Sequence, residues 1–139
     1  MKLQYTTDCA LRMMVCLTGE DRIVSSREME EKIGFPQQCI FNAGRKLKQA
    51  GYVHTISGPF GGYTLGKLPE EITIQDILAL FKDSFSVCGA QAPVSQLSTT
   101  TLRNFVKLLG KLEDDVIQKM SSFTLADLLV ETNPSDIAI

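Results

Sequence analysis

The sequence predicts a mainly α-helical fold: a group of short helices, a two-stranded hairpin behind them, and one long amphipathic helix near the C-terminus. Three observations carry this. Capping and breaker residues mark off short helical stretches before Gly51. Glycine-rich turn chemistry sits between two β-prone runs in residues 52–65. Apolar residues then alternate three and four apart from Leu102 to Val116.

Residues 5–17 read as the first helix, with Thr6 or Thr7 as cap and Ala10, Leu11, Met13, Met14 and Leu17 as a broad apolar face. Residues 19–22 read as a polar turn. Ser25 with Glu28 is a capping box opening a short helix that ends at Gly34. Pro36 suits the first turn of a third helix, which runs to Ala50 and stops at Gly51. Two helices joined by a tight glycine-containing turn form a helix-turn-helix. Residues 52–56 and 63–65 are strand candidates around the tip Gly58-Pro59-Phe60-Gly61-Gly62. A hairpin directly behind a helix-turn-helix is a wing, so the fold class is a winged helix-turn-helix.

Thr73 with Asp76 starts a further helix to about Lys82, and residues 84–98 read as a loop. A long helix follows over about 99–120. Its Leu102, Phe105, Leu109, Leu112 and Val116 have the spacing of a coiled-coil seam. Little chain remains to cover that seam, which favours a homodimer interface over intrachain packing. Thr124 with Asp127 starts a final short helix. The expected organisation is residues 1–67 as a DNA-binding unit, 68–98 as connecting helix and sensor-type loop, 99–132 as dimerisation and terminal helices, and 133–139 as a loose tail.

The chain has 139 residues and a net charge of −2, unevenly spread. Residues 1–67 hold nine Lys/Arg and six Asp/Glu, whereas residues 68–139 hold five and ten. Within 36–67 there are four basic residues and no acidic one. A local positive field, not the whole-chain sum, is what phosphate binding requires. The apolar run 9–17 is interrupted by Arg12, is too short for a membrane span and lacks a signal-cleavage pattern. A cytoplasmic protein with no membrane partner is expected. The four cysteines, Cys9, Cys16, Cys39 and Cys88, are scattered without zinc or redox spacing.

Several motifs fall in register. They are Tyr5 and Ala10-Leu11-Arg12; Ser26-x-Glu28-Met29; Phe35-Pro36; Leu47-x-x-Ala50-Gly51-Tyr52-Val53; Gly58-Pro59-x-Gly61-Gly62-Tyr63-x-Leu65; and Pro69-x-x-Ile72-Thr73-Ile74-x-Asp76-Ile77. In these the chain resembles the BadM/Rrf-type family of bacterial winged-helix transcriptional regulators, over nearly its whole length to about Glu131. The resemblance implies a homodimer on palindromic double-stranded DNA, with the third helix in the major groove and the wing at the adjoining minor groove or backbone. It also implies control by a signal, which in many members is an iron–sulfur cluster held by three cysteines before the dimer helix.

On the third helix Ile40, Ala43, Leu47 and Ala50 should face the core. The DNA-reading candidates are Gln37, Gln38, Phe41, Asn42, Arg45, Lys46 and Lys48, with Ser57, Gly58 and Phe60 of the wing. Gln and Asn can pair with adenine, Arg with guanine or phosphate. Ala43-Gly44 stands where relatives carry bulky aliphatics, and Gly44 is read as permitting close approach to a neighbouring helix. Ser57 stands where relatives often carry Arg. Phe60 is read as packing on DNA sugars or folding back on the wing, with the second favoured.

Cys88 falls where the first cluster cysteine would stand. The later ligand stretches read Ala92-Pro93-Val94 and Ser98-Thr99-Thr100, so the usual three-cysteine iron–sulfur site cannot form. In some relatives an acidic residue near the start of helix one of the other subunit completes the site. Asp8 occupies that position and Cys9 follows it. Three readings stay open: a cluster or metal in another constellation, a thiol switch through Cys88 with or without Cys9, and cysteines that merely fill space. No cofactor is assigned.

One histidine, no nucleophile elbow and no phosphate-binding glycine loop leave no catalytic set, so an enzyme is not expected. The function read from the sequence is a transcriptional regulator, a repressor, answering a redox, metal or small-molecule signal. The alternative is an interaction module whose output depends on docking a partner protein.

Overall fold

The structure, a computed structural model, describes residues 4–81 and 99–130. Helix α1 spans Tyr5–Glu20, α2 Ser26–Ile33 and α3 Gln37–Gln49. Strands β1 (Val53–Ile56) and β2 (Gly62–Leu65) follow, then α4 (Ile74–Ala79) and α5 (Thr100–Ser121). This is the winged helix-turn-helix with a long C-terminal helix that the sequence predicts.

Helix α1 departs from expectation at both ends. It opens after Gln4, so Thr6 and Thr7 lie inside it and neither caps it. It also runs through Gly19 and Glu20, where a turn was expected. It stops at Asp21, whose φ of 48° puts it in the left-handed region, which Asp tolerates better than most residues. Helix α2 begins and ends as its signals dictate. The Ser25 hydroxyl accepts the Glu28 N–H at 3.1 Å, and Gly34 terminates the helix at φ 77°.

An aromatic–cation cluster fastens α1 to the turn between α2 and α3. Phe35 is buried, with the Tyr5 ring centroid 4.7 Å away and the Arg12 guanidinium 5.3 Å from its own centroid. Arg12 also donates to the Asp8 carboxylate at 2.9 Å and to the Ile33 carbonyl at 3.3 Å. Behind this cluster Met13, Met14, Leu17, Met29, Ile40 and Leu47 form a closed core. Ile40, Ala43 and Leu47 are buried as read, while Ala50 at the helix end is only half-buried.

The wing strands pair antiparallel in the register Val53–Leu65 to Ile56–Gly62. The hairpin is also tied to the segment before α2. The Val24 N–H donates to the Tyr63 carbonyl at 3.0 Å, and the Tyr63 N–H returns a bond to the Val24 carbonyl at 2.9 Å. Gly62 permits this approach, since a Cβ there would lie 2.2 Å from the Val24 carbonyl oxygen.

Gly44 does allow close packing, but not against a helix. Its neighbour is the buried Tyr63 ring of the wing: a Cβ on Gly44 would lie 2.8 Å from Cε1 and 3.1 Å from the hydroxyl oxygen. The reason is register. Tyr63 sits on the inward face of β2, directly over the middle of α3.

Behind the wing, Thr73 and Asp76 exchange reciprocal bonds at 2.9 and 3.0 Å that start α4. The helix closes at Ala79, short of the expected Lys82, which lies outside the described residues. Thr99 caps α5 by accepting the Leu102 N–H at 3.1 Å. The last element, Leu125–Leu129, is a 3-10 turn rather than an α-helix. It is pinned by Leu125 N–H to the Ile72 carbonyl at 2.9 Å and Ile74 N–H to the Phe123 carbonyl at 3.0 Å, and Leu125 is fully buried.

In an unhindered helix interior Gly→Ala gains about 1 kcal/mol. Gly44→Ala is expected to be neutral or destabilising in thermal unfolding, because the new methyl meets the Tyr63 ring. In a Tyr63→Leu background the gain should return, which a double-mutant cycle measures.

Candidate nucleic-acid interface

Helix α3 turns one stripe outward. Gln38, Phe41, Asn42, Arg45 and Lys48 are all exposed on it, and Gln38 donates to the Asn42 side-chain oxygen at 3.3 Å. Gln37 is half-buried and held in place: its amide donates to Glu30 at 2.9 Å and its oxygen accepts from the Ser26 hydroxyl at 3.2 Å. Its remaining amide proton is its free donor capacity. Lys46 lies apart from this stripe, its ammonium 4.9 Å from the centroid of the Phe81 ring beyond α4.

The α3 stripe borders a cleft of about 360 Å³ between the starts of α2 and α3 and the wing. Ser26 and Arg27 line it on one side, Gln37 and Phe41 at the base, and Ile56 and Pro59 on the wing side. Arg27 brings a guanidinium to this edge, while Glu30, bonded to the Gln37 amide, brings a carboxylate next to it. The sequence reading passed over Ser26, Arg27, Thr55 and Ile56 as site residues. The signal for Arg27 was its place two residues after the Ser25 cap, in the first turn of a helix.

The charges divide by face. Arg22 pairs with Glu20 at 2.9 Å and with Glu28, and Lys32 pairs with Glu20 and, at 3.7 Å, with Glu28. The hydrogen bond from Lys32 holds the Glu20 carboxyl below the usual carboxylate range, and that from Arg22 does the same for Glu28. Arg12 is matched by Asp8. Arg27, Arg45 and Lys48 form no ion pair among the described residues. Within α1–α3 the cations outside these pairs are therefore Arg27 beside the cleft and Arg45, Lys46 and Lys48 on α3, of which Arg45 and Lys48 lie on the outward stripe.

At the wing tip the Gly61 N–H donates to the Gly58 carbonyl at 3.0 Å, closing a turn with Pro59 and Phe60 at its centre. Gly58 has φ 103°. Ser57 is exposed beside it. Phe60 does not fold back: it is 91% exposed, because the two-residue turn points its side chain away from both strands.

On α5 the seam residues Leu102, Phe105, Leu112 and Val116 are exposed and Leu109 is half-buried. No residue of α5 is buried. Among the described residues, the seam is open to solvent except at Leu109.

Comparison with known proteins agrees with this architecture. The Rrf2 family model, described as an iron-dependent transcriptional regulator, matches residues 3–131. The chain belongs to the Rrf2 family. It is 33% identical over 85 residues to the putative HTH-type transcriptional regulator BadM of Rhodopseudomonas palustris, covering 60% of this chain and 54% of that protein. A putative HTH-type regulator of Aquifex aeolicus is 35% identical over 67 residues, 48% of this chain and 46% of its own length. The chain thus spans about half the length of these two curated relatives. NsrR of Bacillus licheniformis is 24% identical over 133 residues, 94% of this chain and 93% of NsrR. Among solved structures, oxidised CymR of Staphylococcus aureus superposes with a TM-score of 0.75 at 21% identity, covering 96% of this chain and 99% of CymR. T. potens IscR gives a TM-score of 0.72 at 20% identity, covering 100% of this chain and 93% of IscR. The family and these relatives are transcriptional regulators rather than enzymes. No helix among the described residues is long and apolar enough to cross a membrane.

The family description raises the question of iron. The residues do not fit a three-thiolate cluster: of the four cysteines in the sequence, only Cys88 lies beyond residue 67. Cys88 and the loop around it lie outside the described residues. Among the described residues, no three His, Cys, Asp or Glu side chains come together as a ligand set. Asp8 is occupied by Arg12. Cys9 and Cys39 meet in the core between α1 and α3, both buried. Burial pushes the Cys9 thiol's pKa far up, and its hydrogen bond with Cys39 adds to the shift. Cys16 is half-buried and its pKa is raised by burial and then by Glu20.

A raised thiol pKa leaves little thiolate at neutral pH. Cys9 is therefore expected to resist iodoacetamide in the folded protein and to react once guanidinium unfolds it, as read by peptide mass spectrometry. Native labelling of Cys9 at the unfolded rate would contradict its inert, buried state.

Proposed function

We propose that this Rrf2-family protein is a homodimeric, sequence-specific DNA-binding repressor acting in the cytoplasm on a palindromic operator. The observation that carries the reading is the convergence of the uncompensated cations Arg27, Arg45 and Lys48 with the amides of Gln37, Gln38 and Asn42 on one outward surface. Amides and guanidinium groups on a helix stripe are what base edges in a major groove recognise. Residues 1–67 form the reader and residues 99–132 the dimerisation unit. Arg27 and Lys48 serve the backbone, while Gln38, Asn42 and Arg45 serve bases. Lys46, turned toward Phe81, has at most a peripheral role.

The exposed α5 seam supports the dimer. A 22-residue helix is about 33 Å long, and leaving its leucines and Phe105 in water forfeits the burial that stabilises such a helix. A second copy supplies the same seam by symmetry. Two readers related by a two-fold axis then match a palindrome. The signal that sets activity is redox, a metal in a constellation other than three thiolates, or a small molecule.

Selection from a random duplex pool should recover a palindrome. Arg45→Ala and Gln38→Ala should each weaken binding to it by about 1–3 kcal/mol. Affinity should fall steeply with salt. Equal affinity for selected and random duplexes would reject sequence-specific reading. Leu112→Glu should convert the dimer to a monomer in sedimentation and abolish tight binding to the full palindrome; a variant that stays dimeric would reject the α5 interface.

A further inference from the structure

Phe60 is the most exposed large apolar residue among the described residues, at 91%. The fold keeps it there. Pro59 fixes one side of the turn and the Gly61–Gly58 hydrogen bond closes it. Gly61 is pressed so near Ile56 that a Cβ would lie 2.0 Å from its carbonyl oxygen. The Val24–Tyr63 bonds anchor β2 close to its tip-proximal end. Phe60 therefore has no route back to cover, and only a partner can dehydrate it.

The rest of the wing narrows the choice of partner. Residues 53–65 contain no Lys, Arg, Asp or Glu. Such a wing has no permanently charged side chain with which to grip phosphate. It is apolar instead: Ile56 and Pro59 continue the surface from Phe60 down to Phe41 on α3. That surface borders the α3 stripe that carries Gln38, Asn42 and Arg45, so whatever meets Phe60 also meets a base-reading face. A duplex satisfies both. Its minor groove is about 6 Å wide and 7.5 Å deep, and its walls of deoxyribose are apolar. Aromatic and aliphatic side chains enter such grooves as wedges at base steps.

We propose that Phe60 is an apolar wedge that enters the minor groove beside each half-site, partly unstacks one base step and bends the DNA there. The inference rests on the DNA-reading assignment above and adds to it a second source of sequence preference. Pyrimidine–purine steps unstack most easily, so the wing favours such a step without a hydrogen bond to any base. The charged face supplies the salt-dependent attraction and the wing supplies a salt-independent contribution.

The test uses the full chain and the duplex that the wild-type protein selects from a random pool. 2-Aminopurine replaces each flanking adenine in turn, and end-labelled duplexes report bending by energy transfer. With wild-type protein, 2-aminopurine at one flanking step should brighten and the ends should approach. Phe60→Ala should lose both signals and bind on the order of ten-fold more weakly, the balance of one ring's burial against unstacking. Its salt slope should match wild type, and Phe60→Leu should keep most of the affinity. Replacing the flanking step with a stiff A-tract should weaken wild type but not Phe60→Ala. Unchanged melting of Phe60→Ala excludes a folding defect. If wild type binds its selected duplex and Phe60→Ala gives the same fluorescence, bend and affinity, the wedge is overturned while the reader stands. Lost affinity with no fluorescence change in wild type also overturns it, since the ring then packs outside the stack. If wild type selects no sequence at all, the DNA-reading assignment itself fails.

Discussion

Two backbone hydrogen bonds between Val24 and Tyr63 hold the hairpin against the start of α2, and the shape of the cleft follows from them. A two-stranded hairpin alone is marginal in water. Here the short bridge adds a third pairing, and the Tyr63 ring drops onto α3 where Gly44 leaves room. The wing is thus fixed to both helices of the helix-turn-helix. Gly44 and Gly62 look like local weaknesses, yet each is the place where backbone or ring must come close. Their conformational cost is offset by the contact that a side chain would block.

Electrostatics sorts the surface in a way that net charge conceals. Arg22, Lys32 and Arg12 are matched by nearby carboxylates on the α1–α2 side. Those pairs are solvent-exposed, so they add little stability. Their consequence is spatial: positive charge is cancelled there and left uncancelled on the α3 stripe and beside the cleft. An overall acidic chain can in this way present a positive face. Field at a surface depends on which charges are compensated locally, not on their sum.

The C-terminal half answers a different constraint. Leu125 fills a gap in the core, and the pairing of Phe123 and Leu125 with residues 72–74 returns the chain to the body after α5. Helix α5 is therefore anchored at its C-terminal end while its apolar seam faces outward. That arrangement suits a shared interface, because the body gains a buried plug and leaves the seam for another surface. Cys9 and Cys39 belong to the body as well. Their burial between α1 and α3 accounts for them as packing residues.

Much of the fold was legible before the structure. Ser25 with Glu28, Gly34, Pro36 and Gly51 act within a few residues of themselves, and the elements they bound appear where they dictate. The seam of α5 was legible for the same reason, since its period is written in one helix. The far end of α1 was less so: Asp21, not a glycine, supplies the left-handed stop. What the sequence determined by itself was the order and kind of elements and the identity of the outward residues on α3. Tertiary structure alone decided that Tyr63 is the neighbour of Gly44, that Lys46 turns toward Phe81, that Arg27 joins the cleft and that Phe60 stands in solvent. Each of those depends on how two elements distant in sequence are set against each other, and no local propensity encodes that angle or distance.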